Sequence, residues 1–131
     1  MKQNLKILIV DDHKIYRDSL KMTLKRLFAN SKITEAENGV EFLDLMKVNT
    51  FDIVLMDIKM PVMDGLTATK IAIKQNPELK ILGISMYQNE DYCKQFKDYG
   101  AKGFIQKGGD FEDIKFAIEE VLYGRKYFME T

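Results

Sequence analysis

Five polar side chains capable of ionic or phosphoryl chemistry stand at the ends of short apolar runs. Asp11 and Asp12 follow ILIV, Asp57 follows DIVLM, Ser85 ends ILGIS, and Lys107 follows GFIQ. Each residue alone has an ordinary explanation as a helix cap, a turn residue or a solvated cation. Together they supply carboxylates, a hydroxyl and an amine, which are the groups that hold a divalent cation and a phosphoryl group.

The elements that would position these side chains alternate along the chain. Short apolar runs predict strands at 5–10, 32–37, 52–56, 81–85 and 103–106. The segments between and after them repeat apolar residues at the helical period, as in Leu20, Leu24 and Leu27. Five strand and helix pairs in strict alternation predict an α/β fold with a parallel sheet. In such sheets ligands bind at the carboxyl ends of the strands, where the five polar side chains fall.

Bulk composition limits the kinds of protein that this can be. A chain of 131 residues fits one domain, and we predict that 1–131 is a single domain. Lysine plus arginine and aspartate plus glutamate both number 20, so net charge does not draw the chain to nucleic acid or to a membrane. Cys93 is the only cysteine, which excludes an internal disulfide. We expect a cytoplasmic protein without a membrane span.

Four separated motifs resemble one protein family in order and spacing. VDDH, LMDIKMPVMDG, ISM and GFIQKG, spread over about 5–125, are similar to the receiver (CheY-like) domain of bacterial two-component response regulators. The resemblance implies a (βα)5 flavodoxin-like, doubly wound parallel sheet with strand order 2-1-3-4-5. The ending AIEEVLYGRKYF resembles receivers of the LuxR/NarL-type DNA-binding branch.

The resemblance also gives each carboxylate a role. Asp57 is then the phosphoacceptor, and it takes a phosphoryl group from the phosphohistidine of a sensor histidine kinase or phosphotransfer protein. Asp12, Asp57 and the backbone carbonyl of Lys59 are Mg²⁺ ligands, and Asp11 holds a metal-bound water. Electrostatics agrees with these roles, because two carboxylates ~4 Å apart repel by roughly 4 kcal/mol in a protein-like dielectric and a divalent cation removes that repulsion. We expect Mn²⁺ to substitute.

The remaining positions of the resemblance concern the phosphoryl group and a switch. Lys107 pairs with the phosphoryl oxygens, and the Ser85 hydroxyl donates a hydrogen bond to them. Ser85 is coupled to the aromatic residue Phe104, which turns inward and remodels the surface around the fourth helix, fifth strand and fifth helix. The alternative for Phe104 is a packing residue with no rotamer change.

Two positions depart from the familiar receiver pattern, and two others lie where the family varies its rate of dephosphorylation. Met86 replaces a small residue, and we expect its bulk to narrow access to Asp57. Gly108 replaces a frequent proline, so a cis X-Pro bond is not available there. Lys59 and Tyr87 lie where the family tunes dephosphorylation.

The expected output is control of transcription through a DNA-binding domain elsewhere in a longer protein. We expect this chain itself to bind no nucleic acid, since it carries no basic stripe and no helix-turn-helix follows residue 131. Homodimerisation on phosphorylation is one possible output. Beyond self-catalysed phosphotransfer and autodephosphorylation we expect no enzyme activity.

Two other functional readings stay open. A stand-alone receiver would signal by docking on a partner protein. A phosphatase of the haloacid dehalogenase type would need a second aspartate where this chain has His13, and a histidine in the first turn of a helix is expected to be solvent-exposed. We also leave open that Asp11 or Asp12 caps the first helix.

Overall fold

The computed structural model describes residues 4–86 and 90–128, and these residues form a six-stranded sheet with helices on both faces. The strands are β1 Lys6–Val10, β2 Lys32–Ala36, β3 Ile53–Asp57, β4 Ile81–Ser85, β5 Gly103–Gln106 and β6 Tyr127–Phe128. The helices are α1 Lys14–Leu27, α2 Gly39–Val48, α3 Gly65–Gln75, α4 Glu90–Asp98 and α5 Phe111–Leu122.

The strand order β2-β1-β3-β4-β5-β6, with every pair parallel, confirms the predicted doubly wound α/β fold. The five predicted strands lie within one residue of their observed bounds. Asp57 is the last residue of β3, whereas the sequence placed it just after that strand.

The short strand β6 was not predicted. Gly124, with φ of 87°, ends α5 and returns the chain along the open edge of β5, where Tyr127 pairs with Gly103 and Phe128 with Phe104. A Cβ atom on Gly103 would stand 2.6 Å from the Tyr127 carbonyl oxygen, so the glycine allows this close approach. Two residues give no periodicity from which a strand could be predicted.

Two hydrophobic clusters cover the two faces of the sheet. Residues of α1 and α5 pack on one face, with Leu24 and Ile118 fully buried among the strand side chains. Residues of α2, α3 and α4 pack on the other face, where Phe42 and Phe96 are fully buried. Strands covered on both faces must be apolar throughout, which explains the continuous runs in the sequence.

The register brings the functional strand ends to one edge. Asp57 is paired with Ile84, and Ser85 is paired with Gln106, so β3, β4 and β5 end at the same level. The backbone N–H of Asp11 donates to the Ala36 carbonyl at 3.0 Å, which extends the β1–β2 pairing into the polar residues. The parallel sheet therefore gathers the polar side chains that the sequence scatters over about a hundred residues.

We predict that Gly65→Ala destabilises the protein by about 3 kcal/mol, because its Cβ would lie only 1.8 Å from the Asp57 carbonyl oxygen. The backbone N–H of Gly65 donates to the Ile58 carbonyl at 2.7 Å, so the start of α3 and the end of β3 cannot move independently of each other. Chemical denaturation measures the loss. Gly109→Ala is the matched control, since its Cβ would find the Gln106 carbonyl oxygen at an ordinary 3.6 Å. Equal stabilities of the two variants would contradict the prediction.

Candidate functional site

Three aspartates crowd the carboxyl edge of the sheet. Asp11 and Asp57 are 2% and 6% exposed, and Asp12 beside them is partly buried. One ligand atom from each of these aspartates and from His13 can be chosen so that all lie within 4.8 Å of one another. Burial removes the water that would screen the negative charges, so the cluster favours a cation.

A buried lysine neutralises part of this charge. The Nζ atom of Lys107 lies 2.6 Å from Asp11 Oδ2 and 3.4 Å from Asp57 Oδ1. The lysine side chain thus crosses from the end of β5 to the ends of β3 and β1. The Tyr16 ring of α1 covers the ammonium group with its centroid 4.4 Å from Nζ.

The carboxylates retain unused binding capacity. Among the residues that the structure describes, two buried carboxylate oxygens have no hydrogen-bond partner, Asp12 Oδ1 and Asp57 Oδ2. Asp57 Oδ1, by contrast, accepts the backbone N–H of Ile58 at 2.9 Å. Buried polar atoms are normally paired, so these two oxygens fit a site built to hold a cation and to leave one oxygen of Asp57 available for chemistry.

The environment raises two pKa values. Burial, and then the Asp11 charge, raise the pKa of Asp57 from 3.8 to about 6, although Lys107 and the Ile58 N–H oppose the shift. Burial and the charges of Asp11 and Asp57 raise the pKa of the Tyr16 phenol well above its usual range. The phenol therefore stays neutral beside the carboxylates.

Arg17 of α1 fixes the backbone of the site, a contribution that the sequence analysis missed. This buried residue donates from Nη1 to the Asp11 carbonyl at 2.6 Å and from Nε to Glu35 Oε1 at 3.1 Å. Glu35 belongs to β2, a strand from which the sequence analysis drew no site residue. The signal in the sequence is a charged residue three positions before Leu20 on the apolar face of α1.

The start of the first helix decides an alternative that the sequence left open. Its N-cap is His13, whose side chain makes no capping bond, so neither Asp11 nor Asp12 is the cap. Asp11 Oδ1 instead accepts the backbone N–H of His13 at 2.8 Å just before the helix. The His13 side chain is 58% exposed, as expected, but its Nδ1 lies 3.2 Å from Asp11 Oδ1 and 3.1 Å from Asp12 Oδ1.

A cleft opens above Asp57. Its lining includes His13, Ile58, Lys59, Ser85, Met86, Tyr92 and Lys107. Ser85 is buried at the floor, whereas Met86 is exposed at the rim, where its bulk was expected to narrow access. Tyr87 lies outside the described residues.

Phe104 of β5 is buried and faces α4. Its ring lies 5.6 Å from the Phe96 ring, centroid to centroid, at an interplanar angle of 42°. A Cβ atom on Gly83 would stand 2.9 Å from the Phe104 ring, so the glycine of β4 makes room for the aromatic side chain. Phe104 thus occupies an inward position in this structure.

Comparisons with known proteins relate the chain to one family. The family described as the response regulator receiver domain matches residues 7–119. Response regulator GacA of Pseudomonas aeruginosa is 30% identical over 123 residues, which are 94% of this chain and 58% of GacA. The transcriptional regulatory protein DegU of Brevibacillus brevis is 29% identical over 126 residues, which are 96% of this chain and 53% of DegU.

A solved structure shares the same fold. The crystal structure of a LuxR family two-component response regulator from Aurantimonas sp. SI85-9A1 has a TM-score of 0.89 at 29% identity, covering 95% of this chain and 89% of that one. The chain spans little more than half the length of the curated relatives GacA and DegU. Within the described ranges, no helix is both long and apolar enough to cross a membrane.

We predict that Asp57→Asn stabilises the protein in EDTA at pH 7.5 by roughly 2 kcal/mol. The folded protein holds the Asp57 proton more tightly than the unfolded chain does, since its pKa is about 6 against 3.8. Stability is therefore lost as pH rises from about 4 to about 6, and an uncharged asparagine avoids that loss. Denaturation at several pH values measures the difference, which should vanish toward pH 4.

The exposed Asp44→Asn is the control for this comparison, and its effect should stay within about 0.5 kcal/mol at every pH. A variant at position 57 that is no more stable than the wild type at pH 7.5 would contradict the electrostatic account.

Proposed function

The chain belongs to the response regulator receiver domain family, and we propose on that basis that it accepts a phosphoryl group on Asp57 in a cation-dependent reaction. The observation that carries the proposal is the buried Asp57 Oδ2 atom, which has no hydrogen-bond partner among the described residues and belongs to an aspartate that lines the cleft. A nucleophilic carboxylate needs one oxygen that is not already committed to a hydrogen bond.

The acidic cluster supports a divalent cation as the cofactor. We assign Asp12, Asp57 and the backbone carbonyl of Lys59 as Mg²⁺ ligands, and Asp11 as the holder of a metal-bound water, with Mn²⁺ as a substitute. The Asp12 Oδ1 atom, which accepts no hydrogen bond among the described residues, supports this set, because hard oxygen ligands are what Mg²⁺ prefers. When bound, the cation neutralises carboxylate charge and the charge of the incoming phosphoryl group.

The proposed transfer uses Asp57 as nucleophile. Its Oδ2 attacks phosphorus of a phosphohistidine whose other ring nitrogen is protonated, the P–N bond breaks, and an aspartyl phosphate forms while the neutral imidazole leaves with the partner protein. Lys107, whose Nζ already lies 3.4 Å from Asp57 Oδ1, then pairs with the phosphoryl oxygens. The buried Ser85 is the proposed hydroxyl donor to the same oxygens.

The return reaction is proposed to be hydrolysis at the same site. Water attacks phosphorus, the bond from phosphorus to the Asp57 oxygen breaks, and inorganic phosphate leaves. The chain itself is the phosphorylated species in this cycle, so it is not an enzyme acting on a separate substrate. Self-catalysed transfer and autodephosphorylation are the activities proposed for it.

The switch is proposed to run from Ser85 to Phe104. Both residues lie on paired strands, and Phe104 contacts Phe96 of α4 while its backbone is paired with Phe128 of β6. A phosphoryl group that accepts a hydrogen bond from Ser85 and pairs with Lys107 shifts the ends of β4 and β5. The buried position of Phe104 supports its transmission of that shift to α4 and β6.

The proposed partners follow from the family. Response regulator receiver domains interact with histidine kinases or phosphotransfer proteins. We propose a sensor kinase or phosphotransfer protein as the donor, and control of transcription through a DNA-binding domain as the output, with homodimerisation on phosphorylation as its means. The similarity to LuxR family regulators supports this output over a stand-alone receiver.

We predict that incubation with acetyl phosphate and Mg²⁺ adds one phosphoryl group to the protein. Intact-mass spectrometry should show the addition in the wild type and its loss in EDTA. Asp57→Asn should abolish it, because the nucleophilic oxygen is replaced by an amide, whereas the exposed Asp44→Asn should label like the wild type. Labelling of the Asp57→Asn variant at the wild-type level would rule out the assigned phosphoacceptor.

The proposed switch predicts long-range amide shifts when beryllium fluoride and Mg²⁺ are added together. We expect shifts from Ser85 through the end of α5 in the wild type, measured by ¹H–¹⁵N NMR. Phe104→Leu should keep the shifts around Asp57 and weaken those in α4 and β6, because the ring that contacts Phe96 is gone. A wild-type response restricted to the carboxylate cluster would contradict the switch.

A further inference from the structure

His13 stands next to the acidic cluster with a nitrogen atom facing two carboxylates. It is the only histidine in the chain. Its Nδ1 lies 3.1 Å from Asp12 Oδ1 and 3.2 Å from Asp11 Oδ1. The position is held by the backbone, because the His13 N–H donates to Asp11 Oδ1 at 2.8 Å immediately before α1 begins.

These separations equal those between neighbouring ligands of one metal ion. Ligands with bonds of about 2.1 Å lie about 3.0 Å apart at adjacent octahedral positions. Around a tetrahedral zinc ion with bonds of about 2.0 Å they lie about 3.3 Å apart. The distances from His13 Nδ1 to the two aspartate oxygens fall between these values, so the imidazole and Asp12 already have the spacing of a shared metal sphere.

We propose that His13 is an additional metal ligand, and that it makes the cluster a site for Zn²⁺ and other late first-row divalent cations. The ligand set is His13 Nδ1, Asp12 Oδ1 and Asp57 Oδ2. This inference rests on the proposed function, because it uses two carboxylates that were assigned to Mg²⁺. The proposal adds a nitrogen ligand, the His13 imidazole, to a site whose other ligands are oxygen atoms.

Two features of the ligand atoms carry the proposal. The chosen oxygens of Asp12 and Asp57 are the buried carboxylate atoms with no hydrogen bond in the described part of the chain. The His13 side chain is 58% exposed, so the proton can reside on Nε2 when Nδ1 binds a cation. One ligand atom from each of His13, Asp12 and Asp57 can be chosen so that these atoms lie within 4.8 Å of one another.

The nitrogen ligand changes which cations are preferred. Mg²⁺ takes oxygen ligands and keeps its waters, so an imidazole adds little to its binding. Zn²⁺, Ni²⁺ and Co²⁺ bind imidazole well, and their affinity for mixed nitrogen and oxygen sites exceeds that of the earlier metals. Zn²⁺ would share Asp12 and Asp57 with Mg²⁺, and the two cations would therefore exclude each other.

The experiment compares Zn²⁺ and Mg²⁺ binding to tag-free protein in a Cys93→Ser background, which removes the chain's one thiol. Isothermal titration calorimetry gives both affinities for that protein and for the same protein with His13→Asn. Asparagine replaces the imidazole nitrogen by a carboxamide and remains a good N-cap residue, so the helix start is preserved. We expect the ratio of Zn²⁺ to Mg²⁺ affinity to fall at least tenfold.

A second readout identifies the ligand atom. Since the chain has one histidine, its imidazole ¹⁵N signals need no assignment, and Zn²⁺ should shift Nδ1 and leave Nε2 protonated. An unchanged affinity ratio, an unshifted Nδ1, or Zn²⁺ binding that does not compete with Mg²⁺ would overturn the inference while Mg²⁺ binding still supports the proposed function. Failure of the wild type to bind Mg²⁺ would instead overturn the proposed function.

Discussion

The buried ammonium group of Lys107 is the interaction on which the site depends. It lies 2.6 Å from Asp11 and 3.4 Å from Asp57, and without it two nearly inaccessible carboxylates would face each other in a medium that screens poorly. The compensation is incomplete, since one ammonium stands beside a cluster of three aspartates. Burial, and then the Asp11 charge, raise the pKa of Asp57, and the residual negative charge gives the edge of the sheet an affinity for cations.

The doubly wound sheet brings the lysine and the aspartates together. Asp11, Asp57 and Lys107 are separated widely in sequence, but they stand at or just after the ends of strands that finish at the same edge of one parallel sheet. Contacts from outside the strands then fix the geometry. Arg17 ties the Asp11 carbonyl to Glu35 on the neighbouring strand, and the Tyr16 ring covers the lysine from the helix side.

The strands and their polar ends could be predicted from the sequence because a buried parallel strand needs a continuous apolar run. What could not be predicted are interactions that leave no periodic trace. Arg17 is a single charged residue on the buried face of α1, and β6 consists of two residues shortly after a glycine. The N-cap position of α1 falls on His13, which makes no side-chain capping bond, because Asp11 Oδ1 accepts the His13 N–H before the helix begins. Residue type alone favoured an aspartate there.

The ion pair between Lys107 and Asp11 bears on the energetics of the proposed phosphorylation. Lys107 contacts Asp11 more closely than Asp57, so a phosphoryl group on Asp57 would compete with an existing buried pair for the same ammonium group. The net gain would be the difference between the two lysine interactions, and it would be smaller than the new interaction alone. A net gain reduced in this way suits a reversible signal, because both states remain accessible. The displaced Asp11 carboxylate would then need new compensation, which the proposed cation, held through water beside Asp12, would supply.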